Sequence, residues 1–244
     1  MATGIVNPYA VAAGGFFDEV EADSPLVWYK MDETSGTVMV DSGSVGNDGS
    51  YGTTYSPGLG QRSVFGYTVP RFNNADVAMY DDSAALGTNH PGSSGVATWE
   101  FLVNFESVNK NDYILASPSN SRACQLRLLK GYQGNLKATI MAWNGDTVME
   151  ASSSTFITLI NTDYHIVVTY ARATPRCEIW LNGVSVAVDT TATTSLYTSI
   201  STDTNYVGAA GNSGITGITG GLGSVAMYPS ALSDARIADH YAAL

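Results

Sequence analysis

The sequence predicts an all-β protein: an antiparallel β-sandwich of the jelly-roll type, with one short C-terminal helix and an N-terminal arm. Three observations carry that expectation. Strand signals recur at short spacing along most of the chain, the turns between them are rich in Gly, Asn, Asp and Ser, and no long helical pattern separates them as a βαβ fold would require. At 244 residues the chain is long for an average domain, but sandwiches reach this size as single units. An apolar content of 44% is enough for a sizeable core without metals or disulfides to staple it. No repeat at a fixed period is present, which argues against a propeller or solenoid.

Taken in order, residues 1–24 read as an arm and 25–244 as the sandwich. The arm has neither a period-2 nor a period-3.6 pattern, contains Asn7-Pro8 and Gly14-Gly15, and ends in the acidic run from Asp18 to Asp23. A solvated tail is one reading. Ile5, Val6, Tyr9, Phe16 and Phe17 are costly to leave in water, which favours an arm docked on its own sandwich or on a neighbouring copy. Strand signals follow at 26–31, 63–67, 75–80, 96–105, 112–116, 124–129, 136–143 and 147–151.

The stretch from Tyr164 to Gly183 is the clearest. Ile166, Val168 and Tyr170 share one strand face, and Cys177, Ile179 and Leu181 one face of the next, because successive side chains alternate across a sheet. His165, Val167, Thr169, Glu178 and Trp180 fall on the opposite faces. Pro175 belongs to the connection, since it cannot donate to a ladder. Asn182-Gly183 supplies the positive-φ pair of a tight hairpin, and Val184, Val186 and Val188 alternate along the return strand. Near the C-terminus, Ser233 can cap a helix over 234–241, with Asp234 in its first turn and Leu232 packed on Ile237. Arg236 stands where a capping-box Glu would sit.

The run Tyr164-His-Ile-Val-Val-Thr-Tyr170, followed by the Trp180-Leu-Asn-Gly183 hairpin, resembles the laminin-G-like branch of the concanavalin A-like lectin and glucanase superfamily. Val27 to Gly36, Gly221 to Tyr228 and Ala231-Leu232-Ser233 fit the same pattern in family order, so the resemblance spans roughly residues 26–241. It implies a lectin-like sandwich of the kind found in phage virion proteins and bacterial surface proteins.

Acidic residues number 22 against 11 basic, a formal net charge of −11, which argues against nucleic acid and anionic membranes as partners. No stretch approaches the ~20 apolar residues of a membrane helix. The first residues lack the basic start of a secretory signal, so export by the ordinary route is not expected. Cys124 and Cys177 both lie in predicted strands; buried thiols are the simpler reading and a disulfide between neighbouring strands the alternative.

Catalysis is not expected. Glycoside hydrolysis needs two carboxylates roughly 5 to 10 Å apart, whereas Glu100 and Glu106, six residues apart in one strand at about 3.3 Å each, stand near 20 Å apart. Gly211-Asn-Ser-Gly214 is not a nucleophile elbow, and His90, His165 and His240 lack metal-ligand spacing. The loop 41–49 offers Asp41, Asn47 and Asp48 as oxygen donors suited to one structural calcium. In members it resembles, such a loop shares the cation with an acidic residue on the last long strand; Gly223-Ser224 stand there in this chain, and a plain Asx-type turn is the alternative. Stacking of a sugar needs an aromatic face with amide partners, which Tyr132, Trp143 and Asn144 at two hairpin tips can supply.

The expected function is that of a non-enzymatic virion structural and adhesion protein, such as a phage capsid decoration, fibre or tail component, with cell-surface glycans as candidate ligands. Residues 1–24 would contact neighbouring subunits, in a homo-oligomer. The alternatives are a carbohydrate-binding module of a larger secreted bacterial protein, extracellular or on a cell surface, and, third, a glycoside hydrolase.

Overall fold

The hairpin at 176–189 forms as its sequence requires: Asn182 and Gly183 take φ values of 51° and 74°, the two positive dihedrals of a tight turn whose twist matches the flanking strands. Around it, the computed structural model describes residues 15–53, 56–81, 94–107, 111–116, 125–131, 134–141, 147–191, 204–209 and 217–244. Along the chain run α1 (Phe16–Ala22), β1 (Val27–Tyr29), β2 (Val38–Met39), β3 (Gly49–Tyr51), β4 (Gly58–Val64), β5 (Tyr67–Asn73), β6 (Ala78–Asp81) and β7 (Val96–Phe105). Then come β8 (Asp112–Ala116), β9 (Gln125–Lys130), β10 (Asn135–Met141), β11 (Thr147–Phe156), β12 (Asp163–Ala171), β13 (Arg176–Leu181), β14 (Val184–Asp189), β15 (Thr204–Val207), β16 (Thr219–Tyr228) and α2 (Asp234–Ala242).

The strands form two antiparallel sheets. One has the order β14-β13-β12-β7-β16-β5-β4, with β1 also paired to β16; the other runs β11-β10-β9-β8-β15-β6-β3-β2. This is the antiparallel sandwich that the strand spacing predicts. Between the sheets, Trp99, Phe101, Val103 and Phe105 of β7 meet Ile166, Val168 and Tyr170 of β12, Cys177 and Ile179 of β13, and Leu222, Val225 and Met227 of β16. Tyr51, Ile114, Leu128, Leu136, Ala138 and Met149 close the core from the second sheet. Burial raises the Cys177 thiol to about 12, so it packs as a small apolar group.

A buried ion pair joins β8 and β9. Lys130 Nζ stands 2.8 Å from Asp112 Oδ2, both side chains having no exposure, and 5.2 Å from the Phe105 ring centroid. The register sets the two opposite each other on β8 and β9, so each buried charge has a partner at hand.

The outer face of the first sheet is also buried, because both chain ends cover it. Ser233 caps α2, its hydroxyl accepting from Arg236 N at 3.3 Å, and Ile237 packs on Val167 and Trp180, with Leu232 beside them. Thr98 of β7 secures the connection into α2: its hydroxyl donates to Ser230 O and accepts from Leu232 N. A second helix was not expected. Within the arm, 16–22 form α1, whose Phe16 and Val20, one turn apart, are fully buried against Trp28, Val64, Val69, Leu102 and Tyr228. Seven residues with two apolar anchors are too short to show a period, and such a helix draws its stability from packing. Residues 1–14 of the arm lie outside the described residues. Among those described, no helix is long and apolar enough to cross a membrane.

Candidate functional site

Among the described residues, the densest group of ionisable side chains lies where α1 and α2 meet the outer face of the first sheet. β7, flanked by β12 and β16, points Thr98, Glu100, Leu102 and Asn104 outward, since Trp99, Phe101 and Val103 point inward. Register places Val167 and Ala226 beside Glu100 on the two neighbours. His165 and Tyr228, each two residues along from those positions, therefore reach the same carboxylate.

Glu100 accepts from His165 Nε2 at 2.6 Å and from Tyr228 Oη. His240 Nδ1, on the inner side of α2, lies 3.0 Å from Glu100 Oε1. All four side chains are fully buried. Burial by itself would raise the Glu100 carboxyl, but hydrogen bonds and charge from His165 and His240 outweigh it and hold the group far below the usual carboxylate range. Burial, with the Glu100 charge beside it, pushes the Tyr228 phenol well up, keeping it a neutral donor.

The network then runs outward. His240 Nε2 lies 3.0 Å from Asp23 Oδ2, at the C-cap of α1. Arg236 Nε donates to the same oxygen at 3.0 Å and its Nη1 donates to Glu19 at 2.9 Å. Phe16 sets its ring edge-on to both His165 and His240, at 5.9 and 6.1 Å. A carboxylate, two imidazoles and a phenol in contact can share protons, yet each is sealed from solvent by α1 and α2. The arrangement stores charge and joins the two ends of the chain.

Beside it, a row of outward side chains crosses the sheet from β12 to β4. Asn104 donates to Asp163 Oδ1 at 2.6 Å, and Arg62 Nη2 donates to Asn104 and Asn161, both at 2.7 Å. Gly221 stands opposite Asn104 and Arg71, and a Cβ there would come within 2.6 Å of Arg62 Cγ; the missing side chain lets Arg62 lie across the sheet. Arg71 grips Glu106 by Nε and Nη2 and, outweighing partial burial, lowers that carboxyl. Glu100 and Glu106 thus serve separate networks.

The sequence-predicted cation loop closes on itself. Asp41 Oδ1 accepts from Trp28 N at 2.8 Å and Gly43 N at 2.7 Å, and Oδ2 accepts from Asn47 N at 2.7 Å. Asp48 Oδ1 accepts from Asp41 N, and Asn47 O accepts from Tyr29 Oη. Gly43 runs so close to β1 that a Cβ would stand 2.5 Å from Leu26 O. Asp41 closes an Asx-type turn onto Gly43, while Asn47 enters through its backbone and Asp48 through Asp41 N; among the described residues no group of three or more His, Cys, Asp and Glu is set to hold a metal ion. Tyr132, Trp143 and Asn144, the candidate sugar contacts, lie outside the described residues.

The sequence reading passed over the Glu100 network. Its visible signal is a glutamate between Trp99 and Phe101 in a strand that is mostly apolar on both faces, because a buried carboxylate demands donors. The donors sit 65, 128 and 140 residues away in the chain.

Comparison with known proteins agrees with the architecture. The structure is similar to the botulinum neurotoxin serotype D binding domain, with a TM-score of 0.67 and 10% identity over 91% of this chain and 52% of that one. It is similar to the receptor binding domain of the mosaic serotype C/D neurotoxin, with a TM-score of 0.64 and 13% identity over 90% of this chain and 50% of that one. A Trypanosoma rangeli sialidase matches with a TM-score of 0.61 and 14% identity over 89% of this chain and 33% of that one. The chain spans about half the length of the toxin domains and a third of the sialidase. A search of curated proteins finds no match. The laminin-G-type family model described as the concanavalin A-like lectin/glucanases superfamily matches residues 78–238, more than half of the chain, and the chain therefore belongs to that superfamily.

Proposed function

We propose that this protein is a non-catalytic adhesion and assembly protein of a virion, binding glycans through hairpin loops of its sandwich and joining neighbouring copies through its N-terminal segment. The observation that carries the reading is the use made of the ionisable groups. Glu100, His165, His240 and Tyr228, the set best equipped for acid–base chemistry, are fully buried and spent on fastening the chain ends. Ligand contact then falls to the hairpin tips that the sequence assigns to Tyr132, Trp143 and Asn144, residue types suited to stacking and amide contact. Side-by-side assembly has further support in the edge strand β2, where Val38, and Val40 just past it, are about half exposed (49% and 48%).

A second reading, a carbohydrate-binding module of a larger extracellular or cell-surface protein, is favoured by one observation. Residues 16–22 pack on their own sandwich, so this part of the arm closes the module.

Glycan-array screening of the full chain, with Tyr132→Ala and Trp143→Ala beside it, tests the shared part. The expected result is binding that both variants abolish; full retention by both removes these loops from the ligand site. Light scattering on the full chain and on a chain lacking residues 1–14 separates the two readings. An oligomer that dissociates on deletion supports assembly, and a monomer in both cases overturns it in favour of the module.

A further inference from the structure

His240 has one feature that fastening alone does not explain. Its two ring nitrogens face carboxylates on different elements: Nδ1 lies 3.0 Å from Glu100 Oε1 on β7, and Nε2 lies 3.0 Å from Asp23 Oδ2 at the end of α1. A neutral imidazole has one N–H and can donate to only one of them; the imidazolium donates to both. His165 differs: among the described residues only its Nε2 meets a carboxylate, and its buried Nδ1 has no hydrogen-bond partner.

Every element around His240 contributes a charged or titratable group. β7 supplies Glu100, β12 supplies His165 and β16 supplies Tyr228, all joined through the Glu100 carboxylate. α1 supplies Asp23 and Glu19, and α2 itself supplies Arg236 with Asp239. With His240 protonated, its imidazolium and the Arg236 guanidinium face Glu100, Asp23, Glu19 and Asp239, and loss of the proton removes one of those positive charges. Arg236 also provides the alternative arrangement: its Nη2 lies 3.2 Å from His240 Nε2, so a neutral ring can accept from the guanidinium there and release Asp23.

We propose that His240 is a proton-operated clasp between the chain ends: its imidazolium ties β7 to Asp23, so α1 docks tightly in mildly acidic solution and loosens as the solution turns alkaline. Loosening uncovers Phe16 and Val20, the anchors that hold α1 on the sheet. Any effect on assembly rests on the proposed role of the N-terminal segment; the clasp does not.

Burial lowers the basicity of His240, but the Glu100 hydrogen bond and the charges of Glu100 and Asp23 outweigh it and raise the group above its ordinary 6.5. A group raised in the docked state stabilises docking fully below its undocked value, and that contribution is lost as pH rises through the docked one. Glu100 faces His240 whether or not α1 is docked, so what docking adds to the rise is the Asp23 charge, and the contribution is lost on the alkaline side as pH passes the raised docked value.

Hydrogen–deuterium exchange of residues 16–23 in the full chain, from pH 5.5 to 9 and expressed as protection factors, reads the clasp directly. Protection is expected to be highest at the acidic end, to fall by as much as about tenfold per pH unit as pH rises through the raised value of His240, and to level off once the ring is neutral. Asp23→Asn is expected to move the fall to lower pH, and His240→Gln to abolish it at uniformly low protection. Protection in the wild-type chain that does not change with pH, or the same fall in His240→Gln, overturns the proposal, and the wild-type measurement does not depend on either variant folding. Mass measured by light scattering over the same range distinguishes the two ideas: constant mass with falling protection supports the clasp and removes the assembly role.

Discussion

Arg236, in the first turn of the C-terminal helix, donates to Asp23, the C-cap of the N-terminal helix, from 213 positions away. The guanidinium also reaches Glu19 and Asp239, so one cation serves three carboxylates where a capping-box Glu would otherwise stand. At 30% exposure the pairs are screened by water. Arg236→Ala is expected to cost about 1 kcal/mol, less at high salt, and Arg236→Lys to recover only part because it lacks the fork. Urea unfolding at two salt concentrations measures both; equal loss at each would deny the pairs an electrostatic role.

Glu100 gathers three donors in a site with no exposure. Glu100→Ala leaves them buried without an acceptor and is expected to cost about 3–5 kcal/mol, with Glu100→Gln intermediate. The pH dependence follows from the lowered carboxyl. A group depressed in the folded state stabilises above its unfolded value, near 4.5, and the contribution disappears as pH falls through the folded one. The stability of the wild-type chain should therefore decline on acidification below about pH 4.5, and Glu100→Gln should flatten that decline. Denaturant midpoints at pH 3 to 6 decide it, and parallel curves for the two proteins would contradict the assignment.

How far the sequence reaches depends on how local each feature is. Alternation over Tyr164 to Val188 and the Asn182-Gly183 turn are written in neighbouring residues, and the hairpin forms as read. Ser233 announces α2 in the same way. α1 does not announce itself, because Phe16 and Val20 form a face only once Trp28, Val69 and Leu102 are there to meet it. The Glu100 network is less legible still. Its members are ordinary strand and helix residues until the order β12-β7-β16 brings His165 and Tyr228 to either side of Glu100 and α2 lays His240 above.

Lys130 and Asp112 give a second test of buried charge. Lys130→Met removes the cation and leaves Asp112 in the core, for an expected loss of about 3–5 kcal/mol. Adding Asp112→Asn should return much of it, because the stranded charge accounts for most of the cost. Additive losses in the double variant would mean that the two groups act independently.

Asp41 tests the turn against the cation. Its two oxygens accept three backbone N–H groups, from Trp28, Gly43 and Asn47, and these tie the loop to β1. Asn keeps the shape but turns one oxygen into a donor, which then faces another donor. Asp41→Asn is expected to cost about 1–3 kcal/mol, the range for leaving a buried polar group unsatisfied. Three of the roughly four acceptor sites of this carboxylate are taken by amides, which leaves little for a calcium ion, so calcium and a chelator are expected to give the same melting temperature in the wild-type chain. A calcium-dependent rise in melting temperature that Asp41→Asn removes would assign the loop to the cation, because an amide turn has no reason to respond to it.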